Sequence, residues 1–148
     1  MKISIQKEDF DLGAEVGAIS GNPRIGAVAS FVGLVRDVAM TLEHYPGMTE
    51  RAIGKIVAQA KSRWQVMDCT VVHRYGALQP NDRIVLVAVA SAHRGDAFAA
   101  CEFIMDYLKT QAPFWKKEQT ADGARWVEAK ATDDEAAGRW KEKNPNAG

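Results

Sequence analysis

Cysteine is scarce in this chain. Cys69 and Cys101 are the two in 148 residues, they lie far apart, and they form no Cys-x-x-Cys pair. Without that spacing, or a histidine set beside it, they read as reduced thiols and not as a disulfide or a zinc site. Histidine is nearly as sparse, with three residues and no metal-ligand spacing among them, so no metal and no cofactor are expected. Net charge is missing as well: 19 Lys and Arg balance 19 Asp and Glu. No global field therefore draws in nucleic acid or an anionic membrane, and any anion site must be a local concentration of charge. No apolar run reaches membrane-spanning length, and the opening MKISIQKEDFDLG lacks the apolar core of a signal peptide. The expected location is cytoplasmic. Absent too are a Gly-rich phosphate loop, a G-x-S-x-G elbow and paired carboxylates in an apolar setting, which removes the commonest hydrolase and nucleotide-binding templates.

What is present is the make-up of an ordinary globular protein, 47% hydrophobic and 26% charged, at a length best read as one domain over residues 1–148. Residues 2–5 alternate and predict a short strand, and Phe10 to Ser20 a short helix before the Gly21-Asn22-Pro23 turn. Ile25 to Asp37 predicts a central strand, with Gly26 and Gly33 as bulges or points of close backbone approach. Thr41 to Tyr45 predicts another strand. After the Pro46-Gly47 turn, Thr49 is placed to cap a helix running to Trp64, whose apolar positions fall on one face. Met67 to Tyr75 reads as a strand that holds His73 as a packed histidine. Gly76 to Asp82 reads as a turn, and Arg83 to Ala92 as the clearest strand in the chain. A helix follows, capped by Asp96, with Phe98, Cys101, Met105 and Leu108 along one face. Phe114 to Thr120 and Arg125 to Ala129 predict a hairpin, Asp133 onward a short helix, and Lys141 to Gly148 a frayed end. The fold class is α+β: a mostly antiparallel or mixed sheet, two main helices packed on it, and a C-terminal hairpin and short helix.

Six cations stand beside apolar or aromatic segments: Arg36, His93, Arg94, Lys109, Lys116 and Lys117. His93 and Arg94 fall at a helix N-terminus, where backbone N–H groups and the helix dipole favour an anion. Gathered in one pocket, such cations would bind a phosphate-bearing small molecule. Taken singly, Lys109 reads as a solvated residue complementing a helix C-terminus, Lys116 as a strand lysine facing solvent, and Arg36 as a solvated strand end. Distance decides how they could meet. From Asp96 to Lys109 a helix rises about 20 Å, too far for His93 and Lys109 of one chain to hold the same small ligand. A two-fold dimer with a pocket shared across its interface would bring them together.

The segments FVGLVRD (31–37), LEHYPGMTE (42–50), VVHRYGALQPND (71–82), SAHRGDAF (91–98), FIMDYLKTQAPFWKKE (103–118) and GARWVEA (123–129) resemble the large, catalytic subunit family of molybdopterin synthase. That resemblance implies a sulfurtransferase of molybdenum cofactor biosynthesis. It would convert cyclic pyranopterin monophosphate (precursor Z) to molybdopterin, taking sulfur from the C-terminal glycine thiocarboxylate of a small ubiquitin-like carrier subunit. The implied assembly is a homodimer with a carrier at each end, a heterotetramer. The resemblance also implies that Lys109 and Lys116 are the active-site lysines. Arg36, His93 and Arg94 would bind substrate, the last two given by the partner protomer. Phe31 and Met105 would line the pocket, with the backbone at Leu34 and Val35, the run Lys116, Lys117 and Glu118, and Lys130 as a further phosphate contact. In one place the chain departs from the family pattern: only residues 37–41 join Arg36 to Leu42, where a longer glycine-containing loop is usual. A non-catalytic anion-binding relative and a carrier-independent cyclic phosphodiesterase are the alternative readings.

Overall fold

The run from Ile84 to Ala90 is buried at every position, not at alternate ones, and this locates the centre of the molecule. In the computed structural model, which describes residues 1–120, 123–127, 135–138 and 140, that run belongs to strand β6 (Arg83–Ser91). A strand covered on both faces has no solvent side on which to place polar residues, hence the unbroken apolar sequence. Around it a four-stranded sheet runs in the order β1 (Lys2–Gln6), β4 (Asp68–Arg74), β6, β2 (Ala27–Leu34). β1 pairs parallel with β4, and the other two pairings are antiparallel. Helices α2 (Met48–Arg63) and α3 (Arg94–Gln111) cover one face, α2 against β1 and α3 against β6 and β2. The other face carries the short helix α1 (Leu12–Ala18) and a smaller core of Phe10, Ile19, Val72, Leu86, Ala88 and Ala90.

A second sheet, in the order β5 (Gly76–Leu78), β3 (Met40–His44), β7 (Phe114–Thr120), β8 (Gly123–Val127), is antiparallel throughout. The larger core holds the two layers together. Its aromatic centre is Phe103, fully buried, with Trp64, Tyr107 and Trp140 rings at 5.4, 4.7 and 5.6 Å. The Trp140 indole donates to Asp106 at 2.6 Å, and the Arg63 guanidinium donates to the Trp140 carbonyl at 3.1 Å while lying over the Phe103 ring. Helical residue 140 is thereby tied to the last residue of α2 and to the C-terminal half of α3.

The α+β class, the two main helices and the hairpin agree with the expectation from sequence, and several details do not. There are two sheets instead of one. The strand expected to be central, β2, lies at an edge. Its glycines act as expected: the register shifts at Gly33/Leu34, and a Cβ on Gly26 would collide with the Ala92 carbonyl oxygen. The segment expected to be only a turn, Gly76 to Asp82, begins with β5, because three residues suffice to pair with β3. Asp96 does not cap α3. The helix starts three residues earlier, with His93 at the N-cap, and the Asp96 carboxylate instead accepts from the Gln65 N–H at 2.8 Å. Thr49 lies inside α2, whose N-cap is Gly47 at φ 84°, a left-handed position that suits glycine. There the Glu50 carboxylate reaches back to the Gly47 N–H, half of a capping box. The hairpin turn at 121–122, residues 128–134 including Lys130, and the segment 141–148 lie outside the described residues.

Candidate active site

Along α3, positions 98, 101, 105 and 109 recur every three or four residues and so line one stripe. That stripe faces the edge strand β2. Between them lies a cavity of about 550 Å³, lined by Ala29, Ser30 and Phe31 from β2 and by Phe98, Cys101, Glu102, Met105, Asp106 and Lys109 from α3. Three residues singled out from sequence, Phe31, Met105 and Lys109, therefore share one cavity. Its floor is apolar: Met105 and Cys101 are buried, and the Cys101 thiol points to the Val87 carbonyl at 3.6 Å. Burial pushes the thiols of Cys69 and Cys101 up to about 12, which leaves them as inert core groups.

Sequence reasoning missed two carboxylates. Glu102 and Asp106 stand one turn apart on the cavity side of α3, a spacing visible in the sequence as i, i+4. Phe98, read as sharing one helical face with Cys101 and Met105, does line the same cavity and is 65% exposed at its rim. Among the described residues β2 is the edge strand of its sheet, with no strand beyond it.

The other predicted cations lie outside this cavity. Arg36 is exposed just past the β2 bulge, paired with Asp37 at 3.8 Å. Leu34 is exposed and Val35 is buried. The Val35 N–H donates to the Asp82 carbonyl at 2.9 Å, and its carbonyl accepts from Asn81 at 2.8 Å. Both backbone groups thus hold β2 to the turn before β6. His93 and Arg94 are exposed at the N-terminus of α3, and Lys109 lies in its last turn, about 22 Å further along the axis. On β7, half-buried Lys116 stands opposite Leu42 and Val127, exposed Lys117 opposite Thr41 and Trp126, and Glu118 opposite Met40.

Behind Lys109 lies a buried histidine. His73 stacks on Phe114 with ring centres 3.9 Å apart and planes inclined by 21°, and its Nδ1 is 2.9 Å from the Arg74 carbonyl. A carbonyl only accepts, so Nδ1 carries a proton, and in the neutral ring this fixes the tautomer. Desolvation is the main force holding this imidazole down to about 4. The backbone bond opposes it, and the nearby Lys109 ammonium and His44 add to it. Among the described residues no group of three His, Cys, Asp or Glu could hold a metal ion, and no helix is long and apolar enough to cross a membrane.

The chain is a two-sheet α+β protein with one largely apolar cavity between β2 and α3, and Lys109, Glu102 and Asp106 are its charged lining residues. Residues 5–111 match the family model described as MoaE protein, and the chain belongs to that family. It is 63% identical over 146 residues to the molybdopterin synthase catalytic subunit of Ralstonia nicotianae, covering 93% of this chain and 83% of that one. Among solved structures, the molybdopterin biosynthesis MoaE protein of Burkholderia ambifaria is 63% identical with a TM-score of 0.84, covering 95% of this chain and 98% of that one. A crystal structure of molybdopterin synthase from Staphylococcus aureus is 34% identical with a TM-score of 0.79, covering 84% and 95%.

Proposed function

We propose that this chain is the catalytic subunit of a molybdopterin synthase: a cytoplasmic sulfurtransferase that converts cyclic pyranopterin monophosphate to molybdopterin. The observation that carries the reading is 63% identity to a molybdopterin synthase catalytic subunit across nearly the whole chain. The cavity ending at Lys109 supports it. The sulfur comes from the C-terminal thiocarboxylate of a small carrier subunit, two of which flank a homodimer of this chain.

In this reading the apolar cavity walls, Phe31 and Met105, receive the substrate, and Lys109 presents an ammonium at its end. Attack of the thiocarboxylate sulfur on a side-chain carbon of the pterin forms a carbon–sulfur bond and breaks a carbon–oxygen bond, whose oxygen takes up a proton as it leaves. Water then cleaves the resulting carrier thioester, leaving the sulfur on the pterin and a carboxylate on the carrier. Opening of the cyclic phosphate leaves a second negative charge. Lys109 and Lys116 manage the proton and offset the charge, and Arg36 draws the phosphate from the strand end. His93 and Arg94 of the second copy complete the phosphate contacts, which reconciles their distance from Lys109 within one chain. Leu34, Val35, Lys117 and Glu118 frame the mouth.

The test is a reconstitution of this chain with thiocarboxylated carrier and precursor Z, with molybdopterin quantified as its fluorescent oxidation product. Wild type yields product, Lys109→Ala loses activity by about two orders of magnitude or more, and Arg36→Ala mainly raises KM. Turnover without any carrier would establish the phosphodiesterase alternative. Carrier binding without product would establish a non-catalytic relative.

A further inference from the structure

Lys109 and Lys116 lie on different elements, and the chain between them bends once, where α3 gives way to β7. Whatever fixes that elbow fixes how the two ammonium groups stand to each other. The elbow has little hydrogen bonding of its own. Pro113 has no N–H, and the residue before it, Ala112, is extended at φ −76° and ψ 131°, as a residue preceding proline prefers. A single tight bond, Phe114 N–H to the Ala112 carbonyl at 2.9 Å, closes the bend.

Three other elements hold it from outside. From α2, the fully buried Thr49 hydroxyl donates to the Pro113 carbonyl at 3.2 Å. The same oxygen accepts from the Tyr45 N–H at 3.1 Å, so it ties the end of β3 to the elbow. From β4, the His73 ring lies flat on Phe114, itself fixed by its bond to the Arg74 carbonyl. From β3, His44 pairs with Phe114 across the sheet. A hydroxyl buried this deeply is costly unless it is bonded, and both of its bonds are spent joining distant segments at this one bend.

We infer that Thr49 and His73 are positioning residues for sulfur transfer, clamping the Pro113–Phe114 elbow so that Lys109 and Lys116 are held at their working separation. The inference rests on the assignment of those two lysines. Neither Thr49 nor His73 lines the cavity, so neither is expected to contribute to substrate binding.

The experiment is the reconstitution assay on Thr49→Val, Thr49→Ser, His73→Leu and His73→Phe, beside Lys109→Ala and Lys116→Ala. Thr49→Val keeps the shape but loses both bonds. It should lower kcat about tenfold or more with KM for the pterin substrate within about twofold, because small displacements of reacting groups act on kcat. Thr49→Ser restores the hydroxyl and should restore kcat. His73→Leu should lose kcat, whereas His73→Phe, which keeps the stack, should retain it at neutral pH. Should Thr49→Val fail to fold, the His73 pair carries the same test. Wild-type kcat in folded Thr49→Val and His73→Leu, with only the melting temperature lowered, overturns the clamp while leaving the lysines in place. Full activity in Lys109→Ala and Lys116→Ala overturns the lysine assignment and the clamp with it.

Discussion

Acidification should weaken this protein through one residue in particular. In the unfolded chain His73 takes up a proton near pH 6.5, whereas in the folded chain burial holds it neutral down to about 4. Above pH 6.5 both states carry the neutral ring and the stabilising difference is fully present. Between 6.5 and about 4 the unfolded state binds one more proton, so stability falls as the pH falls, and below about 4 the contribution is gone. At about 1.4 kcal/mol for each pH unit, that window corresponds to about 3 kcal/mol, a large share of the stability of a small protein. The assay is urea unfolding of wild type and His73→Phe at steps from pH 7.5 to 4. Phenylalanine keeps a ring against Phe114 but cannot titrate. Asp9 is held below the usual carboxylate range by its bond to Arg83. Asp68 is lowered by its bonds to the N-terminal amine and the Cys69 N–H, against the opposing effect of burial. Both contribute equally to the two proteins and cancel in the comparison. Wild type should lose about 3 kcal/mol more than the variant across the window. Parallel curves would show that His73 is not buried as a neutral imidazole, and the reasoning would fail.

Two further outcomes follow from the core. Both thiols are pushed up to about 12, so a thiol-reactive reagent at pH 8 should titrate no cysteine rapidly in the native protein and two in denaturant. Fast reaction at Cys101 in the native state would mean that the cavity floor opens. Phe103→Ala empties the centre of the aromatic cluster of Trp64, Tyr107 and Trp140, and should cost about 3–5 kcal/mol in urea unfolding. A loss under about 1 kcal/mol would mean that the cluster repacks without strain.

The fold was most legible where a local signal faced no competitor. β6 announced itself by an unbroken apolar run, β7 and β8 by paired strands around a glycine-containing turn, and the β2 irregularity by Gly33. Asp96 misled because the connection between α2 and β4 supplies a rival donor, the Gln65 N–H, from a chain-distant segment. β5 went unseen because three residues carry no periodicity. The division into two sheets was hidden because it depends on β3 choosing β7 and β5 as neighbours, and a pairing between distant strands leaves no mark on either alone. The site was less legible still. Local chemistry alone read Lys109 as a solvated helix end, and only the family resemblance joined it to Phe31 and Met105. Glu102 and Asp106 passed unnoticed because carboxylates on a helix read as a solvated face until β2 is seen to lie across from them.

The second sheet also bears on the order in which the molecule comes into being. Its middle strands, β3 and β7, close a loop that spans almost half the chain, whereas β4, β6 and α3 follow one another almost directly. Early, short loop closures are entropically cheap and late, long ones are not. A chain emerging from the ribosome with β7 still unmade already holds the whole first sheet, both main helices and Lys109. It lacks Lys116 and the strand that would seat it. Part of the larger core comes later still, in Phe114, Ala137 and Trp140, so a chain that stops before β7 has the first sheet but neither the finished core nor both of the lysines proposed to act together.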